Sequence, residues 1–180
     1  PELVPPDECR CADPLLRAWE LQMRGLVYWA EHIDDDNALE PCFDVRWVVR
    51  DDGYGVEVPY THGANRGSYV WEAPLKNLPA DLDRLHFRRP TVDRRETARR
   101  LALAGELFGD LLTPRLKGAF GWTCGLTTDA IRLIGLERLM LAMYDEPQAL
   151  HRLMAFLRDD MMAYLSWFEA EGLCTLNTTN

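Results

Sequence analysis

Asp44 and Arg46 lie two positions apart inside the run Phe43-Asp-Val-Arg-Trp-Val-Val-Arg50, whose β-branched and aromatic residues predict a strand. Alternation along a strand puts both on one face. A carboxylate in that place orients a substrate nitrogen or moves a proton, and a guanidinium beside it grips a carboxylate or phosphate through two parallel hydrogen bonds. The same spacing equally suits a salt bridge between the two, or an aspartate that only caps or faces water. A second set is Trp122, Thr123 and Cys124, which follow the run Leu116-Lys-Gly-Ala-Phe120, together with Asn177 and Asn180, which follow Leu173 to Leu176. Groups that follow strand ends often line binding sites, and they also cap loops.

The remaining ligand-type residues point away from a metal. Cys9 and Cys11 form a Cys-x-Cys pair with no second ligand pair at zinc-finger spacing. Glu31, His32, Asp34, Asp35 and Asp36 hold ligand types for a divalent cation, but their pattern is a helix end followed by solvated acids. His62 and His86 lie in loop-like sequence without a partner, His151 lies at the edge of an apolar stripe, and Met140, Met143, Met154, Met161 and Met162 read as core filling. No metal ligand is assigned in this chain.

The elements that must position these residues begin with Asp13-Pro14, a cap and a first-turn proline ahead of Leu15, Leu16, Trp19, Met23, Leu26, Val27 and Ala30 at helical spacing. That helix is expected to end near His32, before the acids. After the strand at Phe43, Asp51-Asp-Gly-Tyr-Gly55 predicts a turn and Val56 to Val58 a short second strand. Pro59 to Ser68 reads as a loop and Tyr69 to Trp71 as an extended piece. Asp93-Arg-Arg-Glu96 has capping-box spacing and opens a helix that stops at Gly109. Leu116 to Phe120 reads as a buried strand, Thr127 or Thr128 as the cap of a short helix broken near Gly135, and Leu136 to Tyr144 as a second helical piece. Asp145-Glu-Pro147 opens a long helix whose stripe is Leu150, Leu153, Met154, Leu157, Met161, Tyr164, Leu165 and Phe168, ending at Gly172 before a strand at Leu173 to Leu176.

Short strands separated by helices of more than ten residues predict βαβ crossovers, a parallel sheet and an α/β fold. The 180 residues are 47% hydrophobic and 27% charged, enough for a globular core. A net charge of -9 works against binding to nucleic acid. No apolar run is long enough to span a bilayer, and the five cysteines are an odd number without a disulfide framework. The expectation is a cytoplasmic protein with no membrane partner and no visible targeting segment.

The segment Leu136-Glu-Arg-Leu-Met-Leu-Ala-Met-Tyr-Asp-Glu-Pro-Gln-Ala-Leu-His151, continuing to Tyr164 and Glu169-Ala-Glu-Gly172, resembles a passage of the uroporphyrinogen decarboxylase superfamily. That superfamily also holds zinc-dependent methyltransferases acting between corrinoid proteins and thiols. Trp71-Glu-Ala-Pro74 and Leu78-Pro-Ala-Asp-Leu-Asp-Arg-Leu85 are similar to its proline loop and following turn, and Leu112 to Trp122 to its next strand and loop.

The resemblance covers residues 40 to 180 and the family's amino-terminal half. It implies part of a (β/α)8 barrel from residue 41, preceded by a helical extension over residues 1–40. Such a barrel takes about 250 residues when complete. By the same resemblance Asp44, alone among these residues, falls near the family's active-site aspartate; Arg46, Trp122, Thr123, Cys124, Asn177 and Asn180 are substrate-binding candidates from their places along and after the predicted strands.

The family's arginine-rich substrate-gripping stretch has no counterpart between Pro1 and Glu40. The resemblance therefore implies methyl transfer from a small methylated donor to a corrinoid or thiol acceptor, with zinc making the thiolate in the complete barrel. Zinc ligands in that branch lie mainly in the other half, so none is carried over, and a corrinoid protein is the implied partner. Decarboxylation of a porphyrinogen-like acid is the alternative, with Asp44 stabilising positive charge on a pyrrole. A non-catalytic half-barrel that dimerises, or binds a chain completing its sheet, is the other.

Overall fold

The structure is a computed structural model that describes residues 5, 8–36, 39–63, 69–118 and 124–175. The described residues up to Pro41 form one compact unit and those from Cys42 onward a second. In the first, helix α1 (Pro14–His32) starts as its sequence dictates: Asp13 Oδ1 accepts the free N–H groups of Leu15 and Leu16 at 2.9 and 3.0 Å, and proline occupies the first turn. Glu20 ties the preceding segment to this helix, accepting the N–H groups of Arg10 and Cys11 at 2.8 and 2.9 Å and Arg24 Nε at 3.0 Å. Those donors favour the charged carboxylate and hold its pKa down to about 2.

In the second unit, β1 (Cys42–Arg46) pairs in parallel with β6 (Thr113–Lys117), and α2 (Arg94–Phe108) makes the crossover between them. Phe43 and Val45 are buried on the α2 side, where the Phe43 and Phe108 rings meet at 4.4 Å beside fully buried Ala104. The short β2 (Val49–Arg50) pairs antiparallel with β5 (Thr91–Val92), and β3 (Tyr60–His62) with β4 (Tyr69–Trp71).

The helical side of this unit is α3 (Leu126–Ile134), α4 (Leu136–Asp145) and α5 (Pro147–Ala170). Gly135, at φ +83°, separates α3 from α4, a conformation that a side chain with a Cβ rarely adopts. Leu133, Ile134, Leu139, Ala142, Ala149, Leu153 and Leu157 from these helices bury Leu75, Leu78 and Leu82 of the segment that precedes β5. Leu75 N–H donates to Leu133 O at 3.0 Å and pins that segment to α3.

Several strand expectations change. The run Phe43 to Arg50 is two strands in different sheets because both backbone groups of Val48 are taken elsewhere: its N–H by buried Thr97 Oγ1 at 3.0 Å and its C=O by Asp93 N–H at 2.8 Å. Val56 to Val58 is not a strand, and Val56 packs against the helical core instead. The strand expected at 116–120 runs from Thr113 to Lys117, set by its register on β1, and residues 119 and 120 lie outside the described residues.

Leu173 to Thr175 joins no ladder among the described residues, yet it runs against Gly118. The Gly118 N–H donates to Thr175 Oγ1 at 2.8 Å, and a Cβ on Gly118 would stand 2.8 Å from Thr175 N. Gly125, not Thr127 or Thr128, caps α3, whose first turn already contains both threonines. Among the described residues the fold is mixed α/β with three two-stranded sheets and no closed barrel.

Leu153 and Leu157 are fully buried at the centre of the helical core. Truncating either to alanine is expected to cost about 2–5 kcal/mol in urea unfolding. Leu136→Ala, on the exposed side of α4, is expected to stay within about 0.5 kcal/mol of the wild type.

Candidate functional site

Parallel pairing sets the polar face of the β1–β6 sheet. Register places Asp44 beside Arg115 and Arg46 beside Lys117, and alternation turns these four away from the buried Phe43 and Val45. Arg115 Nε donates to Asp44 Oδ1 at 2.6 Å, and Lys117 Nζ stands 3.0 Å from Asp44 Oδ2. Each carboxylate oxygen thus has its own cation. Burial works to raise the Asp44 pKa, and the hydrogen bonds and charges of Arg115 and Lys117 outweigh it, so the carboxyl titrates below its ordinary range. The group is an ionised carboxylate held between two cations of the neighbouring strand.

Arg46 is exposed at the last position of β1, and the partners of Asp44 come from β6, not from Arg46. Cys124 is exposed ahead of α3. Trp122, Thr123, Asn177 and Asn180 lie outside the described residues. His62 is exposed in β3, its ring 6.0 Å from that of Tyr69; His86 Nδ1 is engaged with Phe87 O at 2.8 Å; and His151 is exposed. The acids after α1 are exposed, with Asp35 accepting Trp29 Nε1 at 3.0 Å and His32 Nδ1 engaged with Tyr28 O at 3.0 Å. Among the described residues no three His, Cys, Asp or Glu side chains gather as a metal site.

A second charged group escaped the sequence reading. Asp160 of α5 is 1% exposed and accepts from Arg88 twice, from its N–H and from its Nε, both at 2.7 Å. The Arg88 guanidinium lies over the ring of Tyr164 at 4.1 Å and near that of Tyr54 at 5.1 Å. Tyr54 Oη donates to Asp129 at 3.0 Å and Tyr164 Oη to Asp51 at 3.1 Å. Burial and the neighbouring Asp51 push the Tyr164 pKa up to about 12, and burial and Asp129 raise that of Tyr54, so both remain donors. This network fastens the turn at 51–54 and the approach to β5 onto α5.

Its signal was present in the sequence, since Asp160 falls on the stripe Leu153, Leu157, Tyr164, Phe168 at a spacing otherwise reserved for apolar residues. Arg115 and Lys117 were also legible as an alternation about Leu116, but the strand was expected three residues too late.

Comparison of the chain with protein-family models, curated proteins and solved structures finds no match. No helix among the described residues is long and apolar enough to cross a membrane.

Asp44 has a folded-state pKa below its unfolded value, so its stabilisation is full at neutral pH and is lost as pH falls through the lowered value. Asp44→Asn is expected to cost about 1–2 kcal/mol at pH 7, by urea unfolding, with the gap closing below the ordinary carboxylate range. Asp160→Ala leaves Arg88 buried without its partner and is expected to cost about 3–5 kcal/mol by the same measurement.

Proposed function

We propose that this chain supplies strands of a (β/α)8 barrel of the uroporphyrinogen decarboxylase kind, and that the complete barrel moves a methyl group from a small methylated donor to a corrinoid or thiol acceptor. The observation that carries this reading is the parallel β1–α2–β6 crossover with Asp44, Arg115 and Lys117 on the face away from the helix. A barrel needs that division: apolar packing under the helix and functional groups on the other side, near the carboxyl ends of the strands. The close run of Leu173 to Thr175 along Gly118 fits a third strand position beside β6.

The resemblance places the zinc ligands mainly in the other half of the barrel, and this chain's part in the proposal is to shape and charge the pocket. Its fixed ionised Asp44 favours methyl transfer over the alternative. In decarboxylation of a porphyrinogen-like acid Asp44 would stabilise a cationic pyrrole, yet its charge is already offset by Arg115 and Lys117.

The proposed partners are a corrinoid protein and either a second copy or a chain that completes the sheet. Met140, Met143 and Met162, expected as core filling, are exposed, and the row that Met140 and Met143 form with Leu136 and Tyr144 on α4 supports association. The test is donor-dependent conversion of cob(I)alamin to methylcobalamin, followed by absorbance, with the associated protein, zinc and a panel of methyl ethers, amines and thioethers. Turnover that falls about tenfold to a hundredfold in Asp44→Asn is the expected result. Decarboxylation of a porphyrinogen, or no methylation by an associated and folded protein, would overturn it.

A further inference from the structure

The β3–β4 hairpin gathers four rings on one side of two short strands. Its register sets Tyr60 opposite Trp71 and His62 opposite Tyr69, so alternation puts all four on one face, with Thr61 and Val70 on the other. The Tyr69 ring lies 5.6 Å from that of Tyr60 and 6.0 Å from those of His62 and Trp71, inclined to each and stacked on none. Cross-strand aromatic pairs of this kind steady a hairpin. They nevertheless leave Tyr60 and Tyr69 43% and 49% exposed, and none of the four rings joins the core built by α3, α4 and α5. We propose that this face docks a proline-rich segment of a partner protein, in the polyproline II conformation and with a basic residue at its end. The proposal is independent of the reaction proposed above.

Three properties of the face select that partner. The first is shape. The two rows of rings stand about 7 Å apart along the strands, and with the width of the rings themselves they span one polyproline turn of about 9 Å. Such a chain is extended and stiff before it binds, so it covers aromatic surface at little further cost in entropy. The second is the pattern of donors. Among the described residues the hydroxyls of Tyr60 and Tyr69 have no hydrogen-bond partner, and Trp71 Nε1 is buried without an acceptor. Each of these groups can donate, and proline, which lacks an N–H, brings carbonyl acceptors and no donor that would go unmatched. The third is charge. The chain carries a net charge of -9, and Glu57, exposed just before β3, has no ion-pair partner among the described residues. A cation is therefore favoured at the end of the hairpin where β3 starts and β4 stops. No arginine or lysine among the described residues covers these rings, as Arg88 covers those of Tyr54 and Tyr164.

The probes are octaproline with two arginines at one end, a glycine–serine octapeptide with the same two arginines, and tetramethylammonium, each titrated into the whole chain and followed by amide NMR. The proline peptide is expected to shift residues 60–62 and 69–72, and the glycine–serine peptide to bind at least about tenfold more weakly. Tyr60→Ala and Tyr69→Ala are each expected to raise the Kd of the proline peptide about tenfold, while Leu136→Ala on α4 leaves it unchanged. Tyr69→Phe keeps the ring and removes only the hydroxyl, so it reports even if Tyr69→Ala unravels the hairpin, with an expected rise of about threefold. Equal binding of the two peptides would make the effect one of charge alone. Tetramethylammonium shifting these residues where the proline peptide does not would make the face a site for a small cation. Either result, or binding of the proline peptide that survives both alanine variants, would overturn the proposal.

Discussion

The pairing of one carboxylate on β1 with two cations on β6 is the constraint on which the candidate site depends. Parallel strands place neighbours in fixed register, and in this register Asp44 meets Arg115 directly and reaches Lys117 two residues on. A slip of one residue would turn the charged groups toward α2 and bring Phe43 and Val45 out to the polar side. Burial of Phe43 against Phe108 and the ion group on the opposite face therefore enforce the same alignment from two sides.

The two charged groups of this unit differ in how far they are enclosed. Arg88 and Asp160 are enclosed, stacked between tyrosines and satisfied by one another, which suits a fastening that holds a turn and a strand approach on a helix. Asp44, Arg115 and Lys117 are only partly enclosed, on the face of the sheet away from the buried Phe43 and Val45.

Helices were legible because their signals are local. Asp13 and Asp93 cap α1 and α2 through hydrogen bonds to N–H groups two or three residues away, and the apolar stripe of α5 is complete within its own sequence. Strands were less so, because their limits are set from a distance. Val48 ends β1 only because Thr97 and Asp93, more than forty residues later, take its backbone groups. The placement of β6 is decided by β1 in the same way, which is why Arg115 went unread while Asp44 did not. The polar partner of Asp44 could not be read from i to i+2 spacing, since Arg46 and Lys117 compete for one carboxylate and only the sheet register decides between them.

The most direct measurement is a double-mutant cycle on unfolding free energy at pH 7 with Asp44→Asn, Arg115→Gln and both together. Residues joined across the strands as described should couple by about 1 kcal/mol or more. Effects that add to within about 0.5 kcal/mol would mean that the two side chains do not meet, and would contradict the register on which the site rests.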